Sequence, residues 1–153
     1  MTESATIRIR PSAIFAFLQI FSWLILTLGF LFIAWRYYPL FIYLSLATLL
    51  AAGYKYLLIR SIRYEITTEV LHVTSGIFFK RTDNLELYRI KDYIIEQNLT
   101  EQLFRLMHLT LLTRDLARPA ITLKGIPKSD LPDTLRDLVQ QARKNNNNIV
   151  ELN

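Results

Sequence analysis

Cysteine is absent from the chain. That excludes structural disulfides and thiolate metal sites, and it fits a reducing compartment. Histidine is scarce. His72 and His108 both lie in stretches that read as strands, and no Glu or Cys spacing around them makes a metal motif. Both read as satisfied or surface histidines. Only four glycines occur, and they form neither a P-loop nor a G-x-G-x-x-G. Ser75, in TSGIF, lacks the G-x-S-x-G surroundings of a nucleophile elbow and reads as a turn residue. Glu86, Asp92 and Glu96 are interleaved with Arg89 and Lys91, the pattern of a solvated strand face with ion pairs rather than a hydrolase's paired acids. The expectation is a protein with no catalytic residue, no cofactor and no metal.

Net charge is also small where it would matter for nucleic acid. The formal charge is +5, but from Arg60 onward 14 Lys/Arg face 12 Asp/Glu. Much of the basic excess flanks apolar runs, as Arg8, Arg10, Arg36 and Lys55. A nucleic-acid protein needs a clustered basic footprint, so that class is set aside.

What the chain has in abundance is apolar length. Ser12–Trp35 contains no charge, and Leu40–Ile59 contains only Lys55. At ~1.5 Å per residue, a helix as long as the first run exceeds the ~30 Å hydrocarbon core of a bilayer. A signal peptide has a shorter apolar region of ~7–15 residues, and no second span follows it. The pattern predicts a two-helix transmembrane hairpin at residues 12–59, with spans at about 12–35 and 39–59. Pro39 suits the first turn of the second helix. Arg8 and Arg10 precede the first span, and Lys55, Arg60 and Arg63 follow the second; the connection offers only Arg36. The positive-inside rule then puts both termini in the cytoplasm, with residues 1–11 as a cytoplasmic flank. Trp35, Tyr37 and Tyr38 mark the outer interface, and Tyr54 and Tyr56 the inner one. Ala47 with Ala51, and Thr48 with Ala52, lie four apart and suit close helix approach. Gln19, the one strongly polar side chain deep in a span, is read as a helix-to-helix hydrogen bond.

From Arg63 the apolar period becomes two. Tyr64 and Ile66, then Leu71 and Val73, alternate with polar residues, with turns at Thr67–Glu69 and Ser75–Gly76. Ile77–Thr82 continues as a mixed-face strand, with a bulge or turn at Asp83–Asn84. Lys91–Asn98 is a further strand with Tyr93 and Ile95 on one face. Thr100–Met107 suits one helical turn capped by Thr100. His108–Asp115 and Pro119–Ile126 form a hairpin looped near Leu116–Arg118. Leu131, Leu135, Leu138, Val139 and Ala142 make an apolar stripe, so a helix runs from about Asp130 to Lys144. Asn145–Asn153 is expected to be mobile, its IVEL stretch otherwise adding to a partner's sheet edge. The predicted whole is a membrane α-helical hairpin plus an α+β domain at residues 60–144. That domain is a bent antiparallel β-sandwich or barrel of six or seven strands capped by a C-terminal helix.

RYEITTEVLHVTSGIFFKRTDNLEL, LYRIKDYIIEQN, EQLFRLMHLTL and ITLKGIP, in this order before an amphipathic helix, resemble the bacterial pleckstrin-homology-like (PH-like) membrane proteins of the YdbS type. Paired spans ahead of the domain fit as well, and the likeness covers about Arg8 to Lys144. Two departures stand out. The insertion that ends in glycine in the family reads RLMHL here. The first hairpin loop, TTEV, carries Glu69 and none of the cations with which eukaryotic relatives grip phosphoinositides.

The resemblance implies a binding module at the cytoplasmic face of a bacterial inner membrane. The expected function is a non-catalytic assembly or adaptor component whose partner is another membrane protein or a second copy of itself. The alternative is an anionic-lipid or envelope-stress sensor with a basic rim. Phe78, Lys80, Arg81, Arg89 and Lys91 are the candidate partner or headgroup contacts, and Arg89 is also the residue that would tie a loop to a carbonyl or carboxylate.

Overall fold

The computed structural model describes residues 6–115 and 119–151. Helices α1 (Ala13–Arg36) and α2 (Phe41–Ser61) form an antiparallel hairpin, and both are long and apolar enough to cross a membrane. The Ser12 hydroxyl caps α1 by accepting from the Ile14 N–H. The two helices meet along small residues. Ser45 and Ala52 are buried, and the Thr27 hydroxyl donates to the Thr48 hydroxyl at 2.9 Å. Of the two small pairs, Thr48/Ala52 faces α1, whereas Ala47 is exposed. Gln19 is exposed, so the expected interhelical bond belongs to Thr27 instead. Pro39 sits two residues ahead of α2. The i→i+3 bonds from Tyr38, Pro39 and Leu40 carry the chain through the turn before the helix begins.

The strands are β1 (Ile7–Ile9), β2 (Arg63–Ile66), β3 (Val70–Ser75), β4 (Arg81–Glu86), β5 (Ile90–Glu96), β6 (Leu106–Thr113) and β7 (Ala120–Pro127). They form two antiparallel sheets, ordered β1-β2-β3-β4 and β5-β6-β7, rather than one closed barrel. A 3₁₀ turn at Leu87–Arg89 passes the chain between the sheets. Helix α3 (Leu99–Leu103) links β5 to β6, and α4 (Leu131–Glu151) closes the domain. The core lies between the sheets and under α4. Tyr64, Ile66, Leu71, Leu87, Leu109, Leu111, Leu123 and Ile126 meet Leu131, Leu135, Val139 and Ala142 there. Each buried Val, Leu or Ile side chain among them contributes about 1.5–3 kcal/mol. The alternation in β2–β3 and the α4 stripe are therefore the residues that fill the core.

Several expectations change. Residues 7–9 are a strand of the domain, not a separate flank: Ile9 pairs with Tyr64 and Ile7 with Ile66. The stretch Ile77–Lys80 is not a strand. Ser75 pairs with Arg81, so Gly76–Lys80 is the hairpin loop, turned by Gly76 at φ +109°. A Cβ at Gly76 would lie 1.9 Å from the Phe79 carbonyl oxygen. Asp83 and Asn84 consequently fall inside β4 rather than in a turn. Asn98, not Thr100, caps α3, in a reciprocal box with Glu101. The turn built without glycine uses Arg105, which takes φ +52°. The C-terminal helix does not stop at Lys144 but continues to Glu151, so Asn145–Glu151 is helical rather than a mobile tail. An established helix extends by one bond per residue, and asparagine opposes that by well under ~1 kcal/mol. The expected loop at Leu116–Arg118 lies outside the described residues.

Candidate functional site

The domain has two ends. Only Ile62 separates α2 from β2, and Arg63 pairs with Thr74. The Gly76–Lys80 loop therefore lies at the end beside the helices. The second sheet meets the hairpin at the same end. The Ser12 N–H donates to the Gly125 carbonyl at 2.8 Å, and Arg60 donates to the Pro11 carbonyl at 3.3 Å. The Phe15 ring stands edge-on to His108 at 5.3 Å. His108 is fully engaged: its Nδ1 accepts from the Gly125 N–H, and its Nε2 lies 2.6 Å from Glu101, which is buried. Since Nδ1 accepts, the proton resides on Nε2 and is donated to the carboxylate. The cluster is a structural clamp. At the opposite end lie the Thr67–Glu69 turn, the Leu87–Arg89 turn, Arg114 and the last turns of α4. They are tied by the Leu87 N–H to Glu69 carbonyl and the Arg114 N–H to Arg89 carbonyl bonds.

A groove of about 460 Å³ runs between β5 and α4 in the half away from the helices. Ile90 to Tyr93 form one wall, and Leu135, Arg136, Val139, Gln140 and Arg143 the other. Three cations, Lys91, Arg136 and Arg143, face one acid, Asp92. Arg143 reaches across to donate to the Ile90 carbonyl, and Asp92 accepts from the Tyr93 N–H. These two contacts occupy backbone groups at the start of β5. Beyond them β5 pairs with β6 alone among the described strands, leaving its other edge open. Ile94 and Ile95 are 44% and 47% exposed, so neither face of that edge is fully covered. Ile95 is thus outside the core that Tyr93 packs against.

The predicted contact residues do not form one site. Phe78, Lys80 and Arg81 lie in or beside the loop at the helix end, with Arg81 Nε 3.2 Å from Asp83. Arg89 and Lys91 lie at the far end of β4 and on β5. Arg89 makes local contacts: its Nε is 2.6 Å from Glu86, and its guanidinium lies 5.6 Å from the Tyr88 ring centre. The bond to the Tyr88 hydroxyl, then the charge of Glu86, push the Arg89 pKa further up. Among the hairpin cations and aromatics, Trp35, Tyr37 and Tyr38 are exposed at the connecting turn, with Arg36 over the Tyr37 ring. Tyr54 is exposed on α2, and Tyr56 lies beside the α1 root. Lys55 sits over the Trp23 ring, Arg8 pairs with Glu65 across β1–β2, and Arg10 and Arg63 are exposed. Sequence reading missed Phe15, Glu101 and Gly125, which come together from distant segments, and it missed Arg136 and Arg143 as groove residues. Among the described residues, no group of three His, Cys, Asp or Glu is placed to hold a metal.

A family model described as a bacterial PH domain matches residues 12–143. The match spans the helical hairpin as well as β2–β7 and most of α4. No curated protein and no solved structure matches the chain.

Proposed function

The chain belongs to the bacterial PH domain family, and from that premise we propose that it is a membrane-held, non-catalytic adaptor that captures an extended segment of a partner protein. The open edge of β5 beside the cationic groove carries this reading. An incoming strand gains main-chain hydrogen bonds at such an edge, and an acidic side chain on it meets Lys91, Arg136 and Arg143. The partner is a membrane protein or a second copy of this chain.

The membrane part of the reading rests on where the apolar surface lies. Only 22% and 11% of the most apolar stretches of α1 and α2 are buried, whereas a core helix of a soluble protein is mostly covered. Left in water, Phe17, Leu28, Phe32 and Leu50 would be a large apolar patch. The cations at the helix–domain junction favour a cytoplasmic location for both ends of the hairpin, in the inner membrane of a bacterium, as in proteins of the YdbS type.

The alternative, an anionic-lipid or envelope-stress sensor, keeps only Lys80 and Arg81 of its proposed rim, because Arg89 lies at the other end of β4. A photo-crosslinking amino acid at Ile94 in the full chain, in native membranes, tests the adaptor reading. Asp137, on the outer face of α4, serves as control. A discrete protein adduct at Ile94 that is missing at Asp137 supports it. Adducts to lipid alone at Ile94 would overturn it in favour of the sensor.

A further inference from the structure

Among the described residues outside α1, α2 and the turn that joins them, the exposed large apolar side chains fall in three places: Phe78 and Phe79 in the β3–β4 loop, Leu99, Leu103 and Phe104 in and after α3, and Ile94 with Ile95 on β5. The first two groups share a location. The loop leaves Ser75, next to the Arg63–Thr74 pair that follows α2. Phe104 lines a surface hollow with Ala13, Phe17 and Tyr56 at the root of the hairpin. Both apolar tips therefore border the roots of α1 and α2, at the level where their apolar surface ends.

Their exposure is extreme for folded protein. Phe79 is 93% exposed and Phe78 82%, in a loop whose next two residues are Lys80 and Arg81. Leu99 and Leu103 are 84% and 78% exposed, on a helix held in place by the contact of the buried Glu101 with His108. Gly76, at φ +109°, lets the loop fold back until the Phe79 carbonyl lies against it, so these side chains are presented by a tight bend. Aromatic side chains followed by cations suit the water–lipid boundary, where rings enter the headgroup region and ammonium or guanidinium groups meet phosphates.

Resting on the membrane reading above, we infer that the helix end of the domain enters the lipid interface through two tips, Phe78–Phe79 and Leu99–Phe104. Lys80 and Arg81 hold anionic headgroups beside the first. The domain is then seated on the bilayer at three places, the hairpin and one tip on each sheet. The β5–α4 groove is turned to the aqueous side.

Single-cysteine variants of this cysteine-free chain test it directly. Nitroxides are placed at Phe78→Cys, Leu103→Cys, Leu50→Cys in the middle of α2, and Asp137→Cys on α4. The full chain is put in nanodiscs of phosphatidylcholine with phosphatidylglycerol. Collision with oxygen relative to a water-soluble nickel chelate reports depth. The expected result is a severalfold higher ratio at Phe78 and Leu103 than at Asp137, with Leu50 higher still. If Leu50 reads as lipid while either tip reads as water, the seated arrangement is overturned and the membrane hairpin stands. If Leu50 reads as water, both fail.

Discussion

Gly125 is the residue on which the joint between hairpin and domain depends. It takes φ +62°, its N–H is bonded to His108, and its carbonyl receives Ser12. A Cβ there would lie 2.2 Å from the Phe15 ring and 2.7 Å from the Phe15 Cβ, so the root of α1 itself must move. In Gly125→Ala, the left-handed backbone costs about 1–2 kcal/mol. The overpacking against a ring that is only 5% exposed costs about 1–3 kcal/mol more. The expected loss is about 2–5 kcal/mol, or roughly 5–15 °C in melting temperature at this chain length. The geometry amplifies the local shift. A helix of 24 residues is about 36 Å long, so a 10° tilt at its root moves its far end by about 6 Å. Electron–electron distances between nitroxides at Tyr38→Cys and Asp137→Cys should therefore broaden or shift by several ångströms. Gly53→Ala is the control, since nothing lies within 4 Å of its added methyl. It should melt at or slightly above the parent temperature. Equal melting and equal distance distributions in the two variants would refute the claim that Gly125 sets this joint.

Two further perturbations test the interior. Burial holds the Tyr64 hydroxyl above its ordinary pKa of 10.0, against a smaller opposing pull from the Lys124 N–H. The unfolded chain therefore loses this proton first, so the contribution is full below about pH 10 and falls as pH rises beyond it. Tyr64→Phe should flatten that alkaline fall while costing about 1–3 kcal/mol at neutral pH for the unpaired Lys124 N–H, read by denaturant titration in detergent at both pH values. Arg105→Gly relieves the left-handed residue after α3. It should raise stability by up to about 1 kcal/mol, net of glycine's larger unfolded-state entropy; a loss in thermal scans would show that the arginine side chain matters more than its backbone.

What was readable in the sequence was periodic, and what was not was either short or distant. The α4 stripe and the β2–β3 alternation appear as repeated spacings, and their apolar members are core residues. The IFFK stretch reads as strand because aromatic and β-branched residues favour strands. The pairing of Ser75 with Arg81 overrides that preference and turns those side chains outward. Ile7–Ile9 is too short to show a period, and its strand exists only because β2 lies beside it. The clamp of Phe15, Glu101, His108 and Gly125 has no local spacing at all. Its one legible trace was the helical turn near Glu101, where Asn98 and Glu101 stand three apart as a capping box requires.

The topology also bears on which partner the cations serve. β1 precedes the hairpin and β2 follows it, and the two pair directly, so both roots of the hairpin are stitched into one sheet. A swing of the far end down to the membrane would have to break the Ser12–Gly125 bond and the Phe15–His108 contact at those roots. Arg89 follows β4, and the six residues of that strand put it about 20 Å from the loop end. The Debye length at physiological ionic strength is about 8 Å, so a leaflet's field has largely decayed over that distance. On the membrane reading, Lys80 and Arg81 feel the headgroups, while Arg89, Lys91 and Arg143 do not. A lipid role for the far-end cations would require that joint to open. A protein segment lying along β5, the ligand proposed above, requires no such change.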